Sequence, residues 1–181
     1  MFRHTLTALR AMVVLTVVLG IAYPLAVLGI GQAAFPAQAN GSLLEVDGRP
    51  VGSALIGQQF EGDEWFQSRP SATDYDGGAS SGSNYGPDNA DLLAAVDERR
   101  AALGADAPAD ALTASGSGLD PHISPEHALL QVPRVAQARG LDEARVRALV
   151  ESMIQGRDLG YLGEPTVNVL RLNLALNGLD D

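Results

Sequence analysis

The sequence predicts an α+β protein with one N-terminal transmembrane helix followed by a single mixed soluble domain. Residues 11–34 carry no charged side chain, and a bilayer core is crossed by about 20 apolar residues of helix. Beyond them, runs with helical spacing alternate with a hairpin signal and Gly-rich stretches. We therefore divide the chain into a cytoplasmic N-terminus (1–10), a transmembrane helix (11–34) and a soluble domain (35–181).

The charges on either side of the apolar run predict its orientation. Arg3 and Arg10 precede the run, whereas the next basic residue is Arg49, which follows the acidic Glu45. Cytoplasmic flanks of membrane helices carry an excess of basic residues, so we expect the N-terminus inside and the domain outside. The alternative is a signal peptide cleaved after Ala39, which would release a free exported protein.

The apolar run has two internal features. Pro24 would break a helix in water, but membrane helices tolerate proline with a kink. Four small residues recur at intervals of four, three and four: Ala22, Ala26, Gly29 and Ala33. Such a stripe lets a second helix approach closely, so it predicts a face for partner-helix packing. The competing interpretation is that Ala and Gly are simply common in membrane helices.

Composition excludes several classes of function. The chain has no cysteine, which excludes disulfides, thiolate metal sites and Cys nucleophiles. It also has no lysine, which excludes a P-loop, a Schiff-base enzyme and the SxxK hydrolases. From residue 36 onward, ten arginines face 22 acidic residues, a net charge of −12. We therefore expect no binding to nucleic acid or to an anionic lipid surface.

The first half of the domain reads as a hairpin and a long loop. Residues 42–56 hold two apolar runs around Asp47-Gly48, a dipeptide that favours a tight turn. Residues 61–89 are too polar and Gly-rich for regular structure. Because aromatic residues lie near the start of this loop, we interpret it as an ordered contact surface.

The second half of the domain is predicted to be helical. We predict a helix at 91–103, a variable spacer at 105–111, and a helix capped by Ser124 that is split at Pro133. Gly140 ends the second piece, and Asp142 caps a helix at 143–155. Residues 168–177 fit either a strand or a helix capped by Asn168, and their Leu, Arg and Ala content favours the helix.

Two clusters contain residue types that carry chemistry. Asp120, His122, Glu126 and His127 lie within eight residues and could hold a metal, but their spacing matches no standard helical site. The alternative is that they stabilise a turn and a helix start. Ser115 and Ser117 with Asp120 and His122 contain the residue types of a hydrolytic triad, yet no strand precedes them as a nucleophile elbow requires.

A set of longer motifs resembles a known family. Residues 113–125 (TASGSGLDPHISP), 131–136 (QVPRVA) and 139–141 (RGL) carry the clearest likeness. It continues at Tyr23-Pro24, 37–43, 51–53, 55–58 with Phe60, 69–72, 81–84, 86–87, 162–165 and 168–170. Together these resemble the C subunit of the Kdp-type potassium-transporting ATPases over nearly the whole chain. The spacer 105–111 carries no family signature.

The resemblance implies a subunit without its own active site, in a high-affinity, ATP-driven K⁺ import complex of the bacterial plasma membrane. Its implied partners are a channel-like K⁺-binding subunit and a P-type ATPase subunit. Assembly and raising the ATP affinity of the pump subunit are the implied tasks, those of a catalytic chaperone. No cofactor is bound firmly, and ATP is reached only through the complex.

The resemblance also assigns residues. Gln131 is the implied nucleotide contact, and Ser115, Gly116, Ser117, Asp120 and His122 form a family-motif contact surface. A domain outside the cytoplasm meets no ATP, so the predicted orientation conflicts with direct contact through Gln131. The alternatives from the residues alone are a membrane-anchored exported hydrolase and a free exported binding protein.

Overall fold

Helices hold far more residues than strands in the described structure, a computed structural model that covers residues 2–179. The chain divides into one unit up to Leu43 and a second from Leu44 onward. The helices are α1 (Phe2–Val17), α2 (Tyr23–Ala34), α3 (Pro36–Ala39), α4 (Ala90–Leu103), α5 (Ala109–Leu112), α6 (Pro125–Arg139), α7 (Glu143–Ser152) and α8 (Val169–Asn177). The strands are β1 (Leu43–Val46), β2 (Arg49–Ser53), β3 (His122–Ile123) and β4 (Val167–Asn168). This mixture confirms the α+β prediction.

The first unit contains one apolar helix, Phe2–Ala34, with a mean hydropathy of 2.5 in its most apolar window and no buried residue there. Its length and composition suit a membrane span. Between α1 and α2 lies a π-helical turn, Val18–Ala22, in which the Tyr23 N–H donates to the Val18 carbonyl. Pro24 follows at once and has no N–H to donate. The wider π turn thus accommodates the proline within a continuous helix.

The predicted hairpin is confirmed. Strands β1 and β2 pair, and the turn between them places Asp47 at φ 52° and Gly48 at φ 72°. Two consecutive positive φ values are the geometry that a two-residue hairpin loop requires. No third strand joins this pair within residues 2–179.

The hydrophobic core of the second unit lies among α6, α7, α8 and the short pair β3–β4. In this antiparallel pair, His122 lies opposite Asn168 and Ile123 opposite Val167. The core residues are Phe66, Ile123, Ala128, Val132, Val135, Ala136, Val146, Val150, Val167, Val169, Leu172 and Leu176. Except for Phe66, all of them come from residues 123–176.

The helix boundaries follow capping chemistry that the sequence predicts. Asn89, Ser124, Asp142 and Asn168 each accept backbone N–H donors at a helix start. Gly140 ends α6 in the left-handed region at φ 66°. The tail is the helix α8, as its composition favours, whereas α7 ends at Ser152, three residues earlier than predicted.

Two predictions about the second half are wrong. Helix α6 is not split, because Pro133 lies on its exposed face while Val132 and Val135 on the other face are fully buried. Packing of the buried face outweighs the hydrogen bond that Pro133 cannot donate. The backbone carbonyl left without that donor can bind water instead. The spacer is also not all surface, since its last residue, Ala111, is 2% exposed within α5.

The long loop has no helix or strand between Ser53 and Ala90, yet it is fixed to the core. Phe66 is completely buried, and its backbone N–H and carbonyl both pair with the Asn173 amide at 2.9 and 2.8 Å. Asn168 donates to the Ala54 carbonyl at 2.8 Å. Buried side-chain amides thus satisfy the backbone hydrogen-bonding groups of this loop, as a neighbouring strand does in a sheet.

Candidate functional site

Gln131, the implied nucleotide contact, lies on α6 and is 5% exposed. Its Oε1 accepts from the Gln67 N–H at 2.7 Å and from Arg134 at 2.8 Å, and its Nε2 donates to the Gln67 carbonyl at 3.0 Å. Arg134 in turn donates to the backbone carbonyls of Asp63 and Trp65. The carboxamide therefore fastens the long loop to α6.

A cavity of about 350 Å³ opens beside Gln131. It lies between the long loop and the helices α4 and α6, and its wall includes Tyr75, Arg99, His127 and Arg134. Arg99 donates to the Leu112 carbonyl at 2.8 Å. Burial raises the pKa of the Tyr75 phenol, which donates to the Arg69 carbonyl. The polar wall is thus largely engaged in bonds within the chain.

Beside this cavity lies a cluster formed by Asp110, Ser124 and His127. Asp110 accepts from the Ser124 N–H at 2.7 Å and from its hydroxyl at 2.8 Å. His127 is 5% exposed, and its Nδ1 lies 3.4 Å from Asp110 Oδ2, a contact that is ionic when the imidazole is protonated. Burial alone would raise the pKa of Asp110. The imidazole and the two Ser124 bonds outweigh burial and hold that pKa far below its usual range.

The family-motif contact surface lies along another part of the long loop. Asp120 pairs with Arg69 at 3.2 Å, and the Ser71 hydroxyl donates to the Gly118 carbonyl at 2.7 Å. Gly118 has φ +68°, and a Cβ there would lie 2.7 Å from the Ser81 carbonyl oxygen. The motif needs glycine at this position because two backbone segments meet there.

The motif residues differ in exposure. Ser115 is 3% exposed, and its N–H donates to the Pro70 carbonyl, so its side chain faces the interior. Asp120 and His122 are half-buried. Gly116 and Ser117 are exposed and therefore open to a partner.

The serines do not form a triad with His122. The Ser117 hydroxyl accepts from the Leu119 N–H at 3.1 Å, and Asp120 Oδ1 accepts from the backbone N–H of His122 at 3.0 Å. The His122 ring nitrogen Nδ1 is 3.9 Å from Asp120. In the described part of the chain, no hydrogen bond joins Ser115 or Ser117 to His122. These contacts shape a turn.

The small residues of the membrane helix are all exposed: Ala22, Ala26, Gly29 and Ala33. Ala22 ends the π turn, and the other three lie in α2. A Cβ added at Gly29 would meet nothing within 4 Å. The stripe is thus free in the isolated chain, and partner-helix packing stays a prediction.

Sequence reasoning missed the residues that fix the loop and the cluster. Asp110 lies in the segment predicted to be a variable spacer, and Asn173 lies within the helix predicted from its Leu, Arg and Ala content. The signal available for Asp110 was Ser124, a helix cap whose hydroxyl can also donate. For Asn173, the signal was an amide among apolar residues on a buried helical face.

Comparison with known proteins assigns a family to the chain. The family model described as "K+-transporting ATPase, c chain" matches residues 5–178. A protein of Kineococcus radiotolerans named "Potassium-transporting ATPase KdpC subunit" is 58% identical over 97% of this chain and 94% of its own length. Proteins of the same name from Caulobacter vibrioides and Mycobacterium tuberculosis are 55% and 56% identical. They cover 98% and 99% of this chain and 94% and 100% of their own lengths, respectively.

These matches span both the apolar helix and the domain that follows it, and they include the motifs around Gln131 and Asp120. The Arg69–Asp120 pair, the fixed loop and the single apolar helix are therefore features of a subunit in a multi-subunit K⁺-transport complex. The chain belongs to the KdpC family, the c chain of the K⁺-transporting ATPases.

Proposed function

We propose that this chain is a non-catalytic accessory subunit of a high-affinity, ATP-driven K⁺ importer, which assists assembly and raises the ATP affinity of the P-type ATPase subunit. The observation that carries the proposal is the family match over residues 5–178. The absence of lysine adds support, because the Asp-Lys-Thr-Gly-Thr phosphorylation motif of the pump subunit requires one. The channel-like K⁺-binding subunit and the pump subunit are its proposed partners.

The proposed membrane arrangement is a single pass with the N-terminus in the cytoplasm and the domain outside. Arg3 and Arg10 lie close before the apolar run, whereas the first basic residue after it is Arg49, 15 positions beyond its end. In this arrangement the domain meets no ATP, so its effect on ATP affinity is indirect. The bonds of Gln131 agree with this, because a carboxamide that already makes three hydrogen bonds within the chain has little left to offer a nucleotide.

The proposal is tested by isolating the transporter with and without this chain. In mild detergent, the full chain should co-purify with the two larger subunits. Complexes that lack it should need a higher ATP concentration for half-maximal hydrolysis, whereas their maximal rate per pump subunit should change less. Equal ATP dependence in both preparations would contradict the proposed effect on affinity.

A further inference from the structure

The structure presents three large apolar side chains to water on one small turn, residues 157–164, here called the apolar turn. Leu159 is 80% exposed, Tyr161 69% and Leu162 49%. Leu159 is the most exposed large apolar residue in the described part of the second unit. Single exposed apolar residues are common, but three within four positions are a patch that needs an explanation.

The apolar turn is held in one conformation by its own backbone. Asp158 and Leu162 exchange two hydrogen bonds of 2.9 Å, and Gly160 donates to the Arg157 carbonyl at 3.1 Å. Below it, Gln155 and Thr166 form a second antiparallel bridge at 2.8 and 3.0 Å. The tip is thus pre-organised, which lowers the entropy cost of binding.

Leu159 itself is in an unfavourable position. It has φ +53°, in the left-handed region that costs a residue with a Cβ about 1 kcal/mol and that Gly or Asn adopts more easily. A leucine that is both strained and 80% exposed buries little apolar surface within the chain. Such an outlier is a reason to look for a function outside the chain.

Charge distinguishes between the surfaces that the apolar turn could bind. Asp158 and Glu164 flank the tip, with Arg157 paired to Glu164 at 2.5 Å, and the whole domain carries −12. An anionic lipid surface and a second copy of the same domain would both be repelled. A protein surface with an apolar pocket and a basic rim has the complementary chemistry, and a tyrosine ring is a frequent anchor in such pockets.

We propose that the apolar turn is the anchor by which the domain docks onto another subunit of the transporter. Leu159 and Tyr161 enter an apolar pocket of that subunit, and its basic rim faces Asp158, since Glu164 is already paired with Arg157. This proposal rests on the proposed function, since it takes the partner from the same complex. It adds the segment that makes the contact and the chemistry of the surface that receives it.

The test uses the complete complex with the double variant Leu159→Asn and Tyr161→Ser. Asn accepts φ > 0, so the turn should keep its fold. The matched control is Leu93→Asn with Tyr85→Ser, which are 55% and 45% exposed elsewhere on the domain. We expect the turn variant to be retained about tenfold less by the larger subunits in mild detergent, and the control to be retained like the unmodified chain. Equal retention of both variants would overturn the proposal.

A second measurement identifies what the apolar turn binds. Leu162→Cys is a unique thiol in this cysteine-free chain and can carry a polarity-sensitive fluorophore. A blue shift in the complete complex, and none for the chain alone in nanodiscs, supports a protein partner. A blue shift for the chain alone, either in nanodiscs or growing with its concentration, would overturn the proposal in favour of lipid or self-association. If the unmodified chain itself fails to co-purify, the proposed function fails instead.

Discussion

Single side chains decide whether the long loop stays ordered. Three carboxamides, those of Gln131, Asn168 and Asn173, bind backbone groups of that loop from the interior. Each would leave buried backbone donors or acceptors unpaired if it were replaced by an apolar residue. Gln131, the implied nucleotide contact, thus also stabilises the fold by binding the backbone of the long loop.

Replacing Gln131 with Leu is therefore expected to lower the free energy of unfolding by about 1–3 kcal/mol, because the Gln67 N–H and carbonyl lose their partners. Urea unfolding of the full chain in detergent measures the change. Gln137→Leu is the control, since Gln137 lies exposed on the same helix. If stability is unchanged and the complex needs a higher ATP concentration for half-maximal hydrolysis, a direct nucleotide contact would be favoured instead.

Asp110 is expected to make stability depend on acid pH. Its pKa is lower in the folded chain than the ordinary 3.8, so its contribution is complete above about pH 5 and is lost as the pH falls below 4. Asp110→Asn should lower stability at pH 7 by about 1–3 kcal/mol, and the difference from the unmodified chain should shrink on acidification. Thermal unfolding between pH 7 and pH 3 measures this.

The control for Asp110 is Asp106→Asn, an exposed acid in the same segment. It should change stability little at any pH, because surface charges contribute little. A difference between Asp110→Asn and the unmodified chain that stays constant down to pH 3 would show that the ionised form of Asp110 is not what stabilises the fold.

Among the helices, α6 contains a proline that its packing tolerates. Pro133→Ala restores a backbone hydrogen bond in a helix that already forms, so we expect stability to rise by about 1–3 kcal/mol. The control is Pro125→Ala at the first position of the same helix, where proline costs nothing. If Pro133→Ala lowers stability, the exposed ring contributes contacts that outweigh its missing donor.

Elements governed by local chemistry could be predicted from the sequence. The Asp47-Gly48 turn, the caps at Ser124, Asp142 and Asn168, and the end at Gly140 follow from a few neighbouring residues. The continuity of α6 and the burial of α5 could not be predicted, because both depend on distant packing. The contacts of the site could not be predicted for the same reason. The hydrogen bonds of the Gln131 and Asn173 side-chain amides join residues that are 64 and 107 positions apart in the chain.

For the whole molecule, the net charge of −12 on the domain predicts that it raises the local concentration of K⁺ at the transporter. Replacing the exposed Asp91, Glu98 and Glu151 with their amides removes three negative charges. We expect the apparent KM for K⁺ to rise at low ionic strength, because the local cation concentration falls. The effect should vanish at high salt. An unchanged KM at low salt would contradict this part of the account.

The orientation of the chain decides how it can act on ATP affinity, since a domain outside the cytoplasm can act only indirectly. A single cysteine at Ala105, in an exposed segment of this cysteine-free chain, can be treated with a membrane-impermeant maleimide in intact cells. We expect labelling without lysis, because the proposed arrangement places the domain outside the cytoplasm. Protection in intact cells, with labelling only after lysis, would contradict the proposed orientation and make direct nucleotide contact through Gln131 the leading mechanism.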